Sequence, residues 1–518
     1  MAFLADISGQ GITFLSSLFV FTVGLFFLLI LLLFVRDKFQ TRDAILHNYP
    51  VIGRFRYIFS TLGEFFRQYF FAMDREEMPF NRAERGWVYK SAAGVDNTVA
   101  FGSTKNISPP GTPLFVNCPF PTLDEDAATL TSVRIGPYAR EPYDATSLIN
   151  ISAMSYGALS EPAVRALSMG AKLAGCWMNT GEGGLASAHL TGGCDIVFQI
   201  GTAKYGVRTA DGKLDDNKLR EVAAHPQVRM FEIKMSQGAK PGKGGILPGA
   251  KVTAEIARIR GIEPGKDSIS PNRHPEIGSF AELLAFIEHV RDVTGKPTGF
   301  KAVIGAYGWL ENMCEEIQRC GIACAPDFIT IDSADGGTGA APMPLMDDVG
   351  LPIKEALPMV VDILTRYGLR ERIKVIASGK LITPSGVAWA LCAGADFVAS
   401  ARGFMFALGC IQALKCNKNT CPTGITTHDK HLQQGLNPAE KAVRVKNFVG
   451  KIHYGSGLIA HSCGVSHPRE LTRIHCRIVQ PDGKSVPLSE LYPVPEVLEK
   501  FRAGNNGNSH AGEKSEEA

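Results

Sequence analysis

FITIDSADGGTGAAP, residues 328–342, sets a short apolar run against a polar loop that holds three glycines within four residues. An apolar run of this length, closed by turn residues, predicts a buried parallel strand, and the loop behind it exposes successive backbone N–H groups. The same pattern recurs along the chain. Candidate strands fall at 149–154, 175–180, 196–201, 230–235, 299–304, 328–333, 374–379 and 397–402, separated by amphipathic stretches that predict helices. Alternating strands and helices mean a parallel sheet, and eight strands close it into an α/β fold of the (β/α)8 TIM-barrel type. A doubly wound open sheet would want a Gly-x-Gly-x-x-Gly turn after its first strand, and none stands there.

Outward from the barrel, residues 12–35 (ITFLSSLFVFTVGLFFLLILLLFV) carry no charge, enough to cross a bilayer core of about 30 Å. Only Asp6 precedes this stretch, whereas Arg36 and Lys38 close it and Arg42, Arg54 and Arg56 follow. The positive-inside rule then predicts a single-pass anchor over 1–40 with the body on the cytoplasmic side. A cleaved leader would want a basic start and a shorter apolar core. Free cysteines suit that compartment. Residues 41–147 predict a cover. In it, Tyr49 to Phe71 reads as an amphipathic segment at the membrane surface or an ordinary surface helix, and 72–150 reads as irregular. The barrel is expected over 148–435, an extension over 436–498 opening with a helix from Asn437 to Val449, and a disordered tail over 499–518.

The 518 residues are 45% hydrophobic with a formal charge of +3. That allows a large core, and the lack of a basic tract with interleaved aromatics excludes nucleic acid as the main partner.

In a barrel the active site forms at the C-terminal strand ends. Gly336, Gly337 and Thr338 after the sixth strand can cradle a phosphate or a flavin edge, with Asp335 orienting the turn. Ser378-Gly379-Lys380 and Ser400-Ala401-Arg402-Gly403 stand after the last two strands, where barrels commonly bind phosphate. Glu182 follows the second strand, and Lys234, Gln237 and Lys240 follow the fourth. A carboxylate among two ammonium groups and an amide suits a dicarboxylate substrate with a proton donor. Lys301, on the fifth strand, is placed to stabilise a reduced flavin.

Cys410, Cys416 and Cys421 lie within GCIQALKCNKNTCPTGITT, residues 409–427, while the other nine cysteines are scattered. Thiolates gathered on a loop turned by Pro422 and Gly424 fit iron–sulfur ligation. Three ligands suit a three-iron cluster, with Cys463 a possible remote fourth. Zinc would want paired cysteines or histidines, and His428 stands alone.

MSYGALS, NTGEGG, KMSQGAKPGKGG, ISP, DSADGGTGAAP and GCIQALKCNKNTCPTG, in that order over about Ile149 to Thr427, resemble the FMN-binding synthase domain of glutamate synthase. The whole chain is similar to stand-alone glutamate-synthase-like proteins of bacteria. The resemblance implies FMN in the barrel and a 3Fe–4S cluster on Cys410, Cys416 and Cys421. It implies that Met154, Ser155, Thr180, Glu182, Lys301, Ser333, the Asp335–Thr338 loop, Gly379, Ala401, Arg402 and Gly403 surround the flavin. Lys234, Gln237 and Lys240 would contact 2-oxoglutarate or its imine.

Two departures shape the expected reaction. Nothing before the barrel could supply the family's glutaminase domain, and no Rossmann reductase module is present. Ammonia is therefore expected from solution or a separate subunit, and electrons from a ferredoxin, a membrane reductase or an NAD(P)H reductase. Ser378-Gly379-Lys380 also stands where the family usually has Asp-Gly-Gly. The expected activity is reduction of 2-iminoglutarate to L-glutamate. The alternatives are another oxo acid, or a membrane-bound electron carrier or redox sensor.

Overall fold

The computed structural model describes residues 2–40, 43–305 and 308–499, so the tail expected over 499–518 falls, beyond Glu499, outside the described residues. The chain divides into two compact units, Met1–Ala83 and Glu84–Ala518.

In the first unit one helix, Ala2–Phe39, includes a stretch, Gly11–Phe39, that is long and apolar enough to cross a membrane. Asp37, near its end, is buried against Arg54 and accepts from the Val51 N–H at 3.1 Å. This clamp folds the chain back into the helix Gly53–Phe66, continued by a π-helical turn Arg67–Phe71. Phe55, Phe59, Phe65 and Phe70 remain exposed along it.

The second unit holds the barrel. Its strands are β1 (Ile149–Ile151), β2 (Met178–Asn179), β3 (Ile196–Ile200), β4 (Val228–Lys234), β5 (Thr298–Ala302), β6 (Phe328–Asp332), β7 (Lys374–Ser378) and β8 (Phe397–Ser400). Each pairs in parallel with the next, and β8 returns to β1 through Val398 opposite Ile149, which closes the barrel. Every candidate strand read from the sequence is present, most of them shorter.

Because alternate strand residues face one side, the barrel interior is filled in layers. Val197, Met230, Phe328, Ile376 and Phe397 form an apolar floor with Trp177. Two residues further along β3, β4 and β6 come the polar Gln199, Glu232 and Thr330, and two further on β4 and β6 the charged Lys234 and Asp332. Polarity rises toward the C-terminal mouth. The other end is plugged by an antiparallel pair, Val133–Ile135 with Tyr143–Ala145, whose Ile135, Tyr143 and Ala145 join the apolar floor.

Helices between strands start on short polar residues that accept from their first-turn N–H groups: Ser160, Asp215, Thr253, Ser279 and Thr383. The segment read as irregular over 72–150 carries a helix, Arg82–Ala92, whose Trp87 packs edge-on against Phe448. The helix expected over 437–449 runs on to Ser462, from Pro438. It lies close against the helix Glu161–Ala174, where a Cβ at Gly170 would come within 2.5 Å of Val445. The sequence reading took the cysteines as free, but Cys320 and Cys324 are joined as a disulfide; the other ten are free.

Candidate active site

The charged layer opens into a cleft at the C-terminal mouth. Glu182 enters it from a tight turn, Gly181–Gly183, directly behind β2. Gly181 adopts φ +64°, and a Cβ there would meet the Ser155 N–H, so this turn needs glycine. Its own N–H donates to Asn179 Oδ1 at 3.0 Å. A Cβ at Gly201 or Gly245 would strike Glu182, so two further backbone segments close around the carboxylate.

Lys234, the last residue of β4, donates to Glu182 Oε1 and to Gln237 Oε1, each at 2.8 Å. The Lys234 and Glu182 side chains are 9% and 14% exposed. Lys301 faces Asp332 Oδ2 at 3.6 Å, and Lys240 is buried on the same wall. Burial raises the Glu182 carboxyl, but the Lys234 ammonium, with Lys240 and Arg260 beyond it, outweighs burial and holds it below the ordinary carboxylate range. Burial draws Lys234 below the ordinary lysine value, opposed by Glu182 and reinforced by Lys301. Desolvated and facing Lys234, Lys240 falls to about 8.

Of the residues expected around a flavin, Met154, Ser155, Lys301, Gly337, Thr338, Ala401 and Arg402 line this cleft, together with Glu182, Lys234, Gln237 and Lys240. Arg402 donates to Thr338 O at 2.6 Å and so ties the glycine loop to the end of β8. Others stand behind the wall. Thr180 is fully buried, its hydroxyl donating to Gly181 O and accepting from the Gln199 N–H. Gly336 N–H is committed to Ser333 O at 2.8 Å, so it is not offered to an anion. Asp335, expected to orient the glycine turn, accepts instead from the Ile353 N–H at 2.8 Å, at the start of the helix Ile353–Arg366. Gly379 packs on Ser333, whose buried hydroxyl has no partner among the described residues, and Gly403 packs on Ser400 and Phe448.

Three residues that the sequence reading missed also line the cleft: Gln199, Lys251 and Arg260. Arg260 ends the helix Ala254–Arg260, is 4% exposed, and donates to Tyr156 O at 3.2 Å, while its Nε has no partner among the described residues. No spacing signal marks it, because it comes from the long β4–β5 connection rather than from a strand end.

The cysteine loop runs along the edge of the same cleft, which Cys416 lines. Lys251 holds it by donating to Ala158 O at 2.7 Å and Cys416 O at 3.3 Å, and Tyr89 donates to Cys410 O at 2.6 Å. Gln412, Leu414 and Asn419 take positive φ, so the loop is held in a conformation that its own residues do not favour. Burial raises the Cys410 thiol; at Cys421 burial also raises it, but the contacts with Thr423 and Thr426 together outweigh burial and lower it. Among the described residues no three His, Cys, Asp or Glu side chains are gathered as a metal site. The thiol chemistry fits an iron–sulfur group.

The site is thus a closed barrel whose mouth is lined by several cations and a buried Lys–Glu pair, with a cysteine loop at its edge. A family model described as a conserved region in glutamate synthase matches residues 125–465. The glutamate synthase large subunit-like protein YerD of Bacillus subtilis (strain 168) is 40% identical over 521 residues, 92% of this chain and 98% of that protein. The chain belongs to the glutamate synthase family. The archaeal NADPH glutamate synthase of Archaeoglobus fulgidus is 36% identical over 301 residues, 58% of this chain and 56% of that protein, so this chain matches little more than half of it. Among solved structures, the flavin-binding domain of baker's yeast flavocytochrome b2 matches 80% of this chain and 86% of that one at 14% identity and TM-score 0.44, too distant to bear on function.

Proposed function

We propose that this chain reduces 2-iminoglutarate, formed from 2-oxoglutarate and ammonia, to L-glutamate. The observation that carries this reading is the charge balance of the cleft. Among the described residues Lys234, Lys240, Lys251, Lys301, Arg260 and Arg402 line it, against the carboxylate Glu182 in the wall and Asp332 beside Lys301. That excess of cations suits a substrate with two carboxylates.

Bound FMN would supply the hydride and a 3Fe–4S cluster on Cys410, Cys416 and Cys421 the single electrons. Met154, Ser155, Gly337, Thr338, Lys301, Ala401 and Arg402 would hold the flavin, since strand-end backbone and two cations meet there. Lys240 and Arg260 would bind the carboxylates. Adding a hydride to C2 of the imine requires one proton on the nitrogen, and the Lys234 ammonium, shared with Glu182 and Gln237, is placed to donate it. Ammonia would come from solution or a separate subunit. The helix Gly11–Phe39 would anchor the body on the cytoplasmic side, where a ferredoxin, a membrane reductase or an NAD(P)H reductase could reduce it.

One observation favours a second reading. Leu159, Ile246, Leu247 and Pro248 give the cleft an apolar wall, which suits an oxo acid with a hydrophobic side chain.

The test uses the full-length protein in detergent. A flavin spectrum, an electron paramagnetic resonance signal of a three-iron cluster when oxidised, and glutamate formation from 2-oxoglutarate and ammonia with dithionite support the reading. A colourless protein sinks the cofactors. Turnover of a branched oxo acid in preference to 2-oxoglutarate would select the second substrate.

A further inference from the structure

Below the cleft, inside the barrel, lies a second void with room for about one water molecule, bordered by Ser152, Asn179, Glu232, Lys301 and Thr330. Glu232 is 2% exposed, and no cation pairs with it among the described residues. It accepts from three neutral donors: Asn179 Nδ2 at 2.8 Å, Gln199 Nε2 at 2.6 Å and Thr330 Oγ1 at 2.6 Å. Buried polar groups are normally satisfied, so what matters here is which atoms this carboxylate commits.

A carboxylate only accepts, so each amide must turn its NH2 inward. With Nδ2 on Glu232, Asn179 has only Oδ1 to offer upward, and that oxygen takes the Gly181 N–H at 3.0 Å. Gly181 opens the turn that carries Glu182. With one Nε2–H on Glu232, Gln199 keeps Oε1 and a second N–H, and it lines the cleft. We propose that Glu232 is a positioning residue: it orients the Asn179 and Gln199 amides, and so fixes the Glu182 turn and sets which amide atoms Gln199 presents to the cleft. Its effect on turnover rests on the imine-reduction reading, whereas its effect on the turn does not.

The experiment compares Glu232→Leu, Asn179→Ala, their double variant and Glu232→Gln in the full-length protein. It follows glutamate formation and hydrogen–deuterium exchange of the peptide spanning 180–184. Glu232→Leu and Asn179→Ala are expected to lower kcat at least 30-fold and to speed exchange of that peptide, with the double variant little worse than either, because one chain of contacts is being cut. Glu232→Gln keeps an oxygen for both amides and can donate to Thr330; it is expected to retain at least a third of wild-type kcat and the wild-type exchange rate. If Glu232→Leu does not fold, Asn179→Ala carries the exchange test. Unchanged exchange in Asn179→Ala, or a Glu232→Gln loss as deep as that of Glu232→Leu, overturns the proposal. A wild-type protein that makes no glutamate overturns the reaction instead, and the exchange result still decides the positioning.

Discussion

Lys234 Nζ lies 2.8 Å from Glu182 Oε1 and 2.8 Å from Gln237 Oε1, so one buried ammonium joins the ends of two barrel strands. Neither charge has much water, and each depends on the other to stay ionised.

Removing one partner therefore strands the other. Glu182→Leu should cost about 3–5 kcal/mol of unfolding free energy and abolish turnover. Adding Lys234→Met should recover most of the stability and none of the activity. Chemical denaturation and a glutamate assay read the two effects separately, and equal losses in single and double variants would argue against the pairing.

Lys240 titrates near 8 in the fold against an ordinary 10.5. The unfolded chain holds this proton more tightly, so the stability contribution of this group is lowest below about 8 and rises with pH between the two values. Carboxylate binding runs the other way, because it needs the ammonium. KM for 2-oxoglutarate should rise above pH 8 by up to about tenfold per unit, and Lys240→Arg should move that rise to higher pH. A KM flat from pH 7 to 10 in the wild type would remove Lys240 from the substrate site.

Gly245 makes room for Glu182: the nearest atoms to an added Cβ are Glu182 Oε1, Cδ and Oε2. Since these are the far end of a side chain, Gly245→Ala should shift the carboxylate and spare the fold. We expect kcat to fall at least tenfold with a melting temperature within a few degrees of wild type. A loss confined to stability would contradict the arrangement.

Each of Cys410→Ser, Cys416→Ser and Cys421→Ser should lose the paramagnetic signal of the proposed cluster and keep bound flavin. Cys463→Ser should keep both. If Cys463→Ser alone abolishes the signal, the ligand set is wrong.

Asp335→Ala should cost about 1 kcal/mol, as loss of a cap does, because its carboxylate serves the Ile353 N–H. Flavin content should not change. A flavin-free Asp335→Ala protein would return this residue to the cofactor site.

The strands were legible because a parallel strand buried on both faces must be a short apolar run, and FITID or KVIAS can hardly be anything else. MFEIK also encodes the interior layers, apolar, acidic and basic at alternate positions, yet Glu232 was passed over because an acidic residue within an apolar run has no motif. Glu182, Lys234, Gln237 and Lys240 could be grouped because each sits just behind a strand, and a barrel gathers strand ends at one mouth.

Sequence alone determined the alternation that builds the barrel, the apolar N-terminal helix and the spacing of the three cysteines, all of which depend only on neighbouring residues. Tertiary structure alone decided that Asp335 turns to a helix start, that Gly336 N–H is already committed, and that Arg260 enters the cleft from a distant connection. It also decided that Glu232 governs two amides. The reason is physical: hydrogen bonds and charges act over a few ångströms in space, and residues such as Glu232 and Asn179, 53 apart in the chain, meet only when the barrel closes.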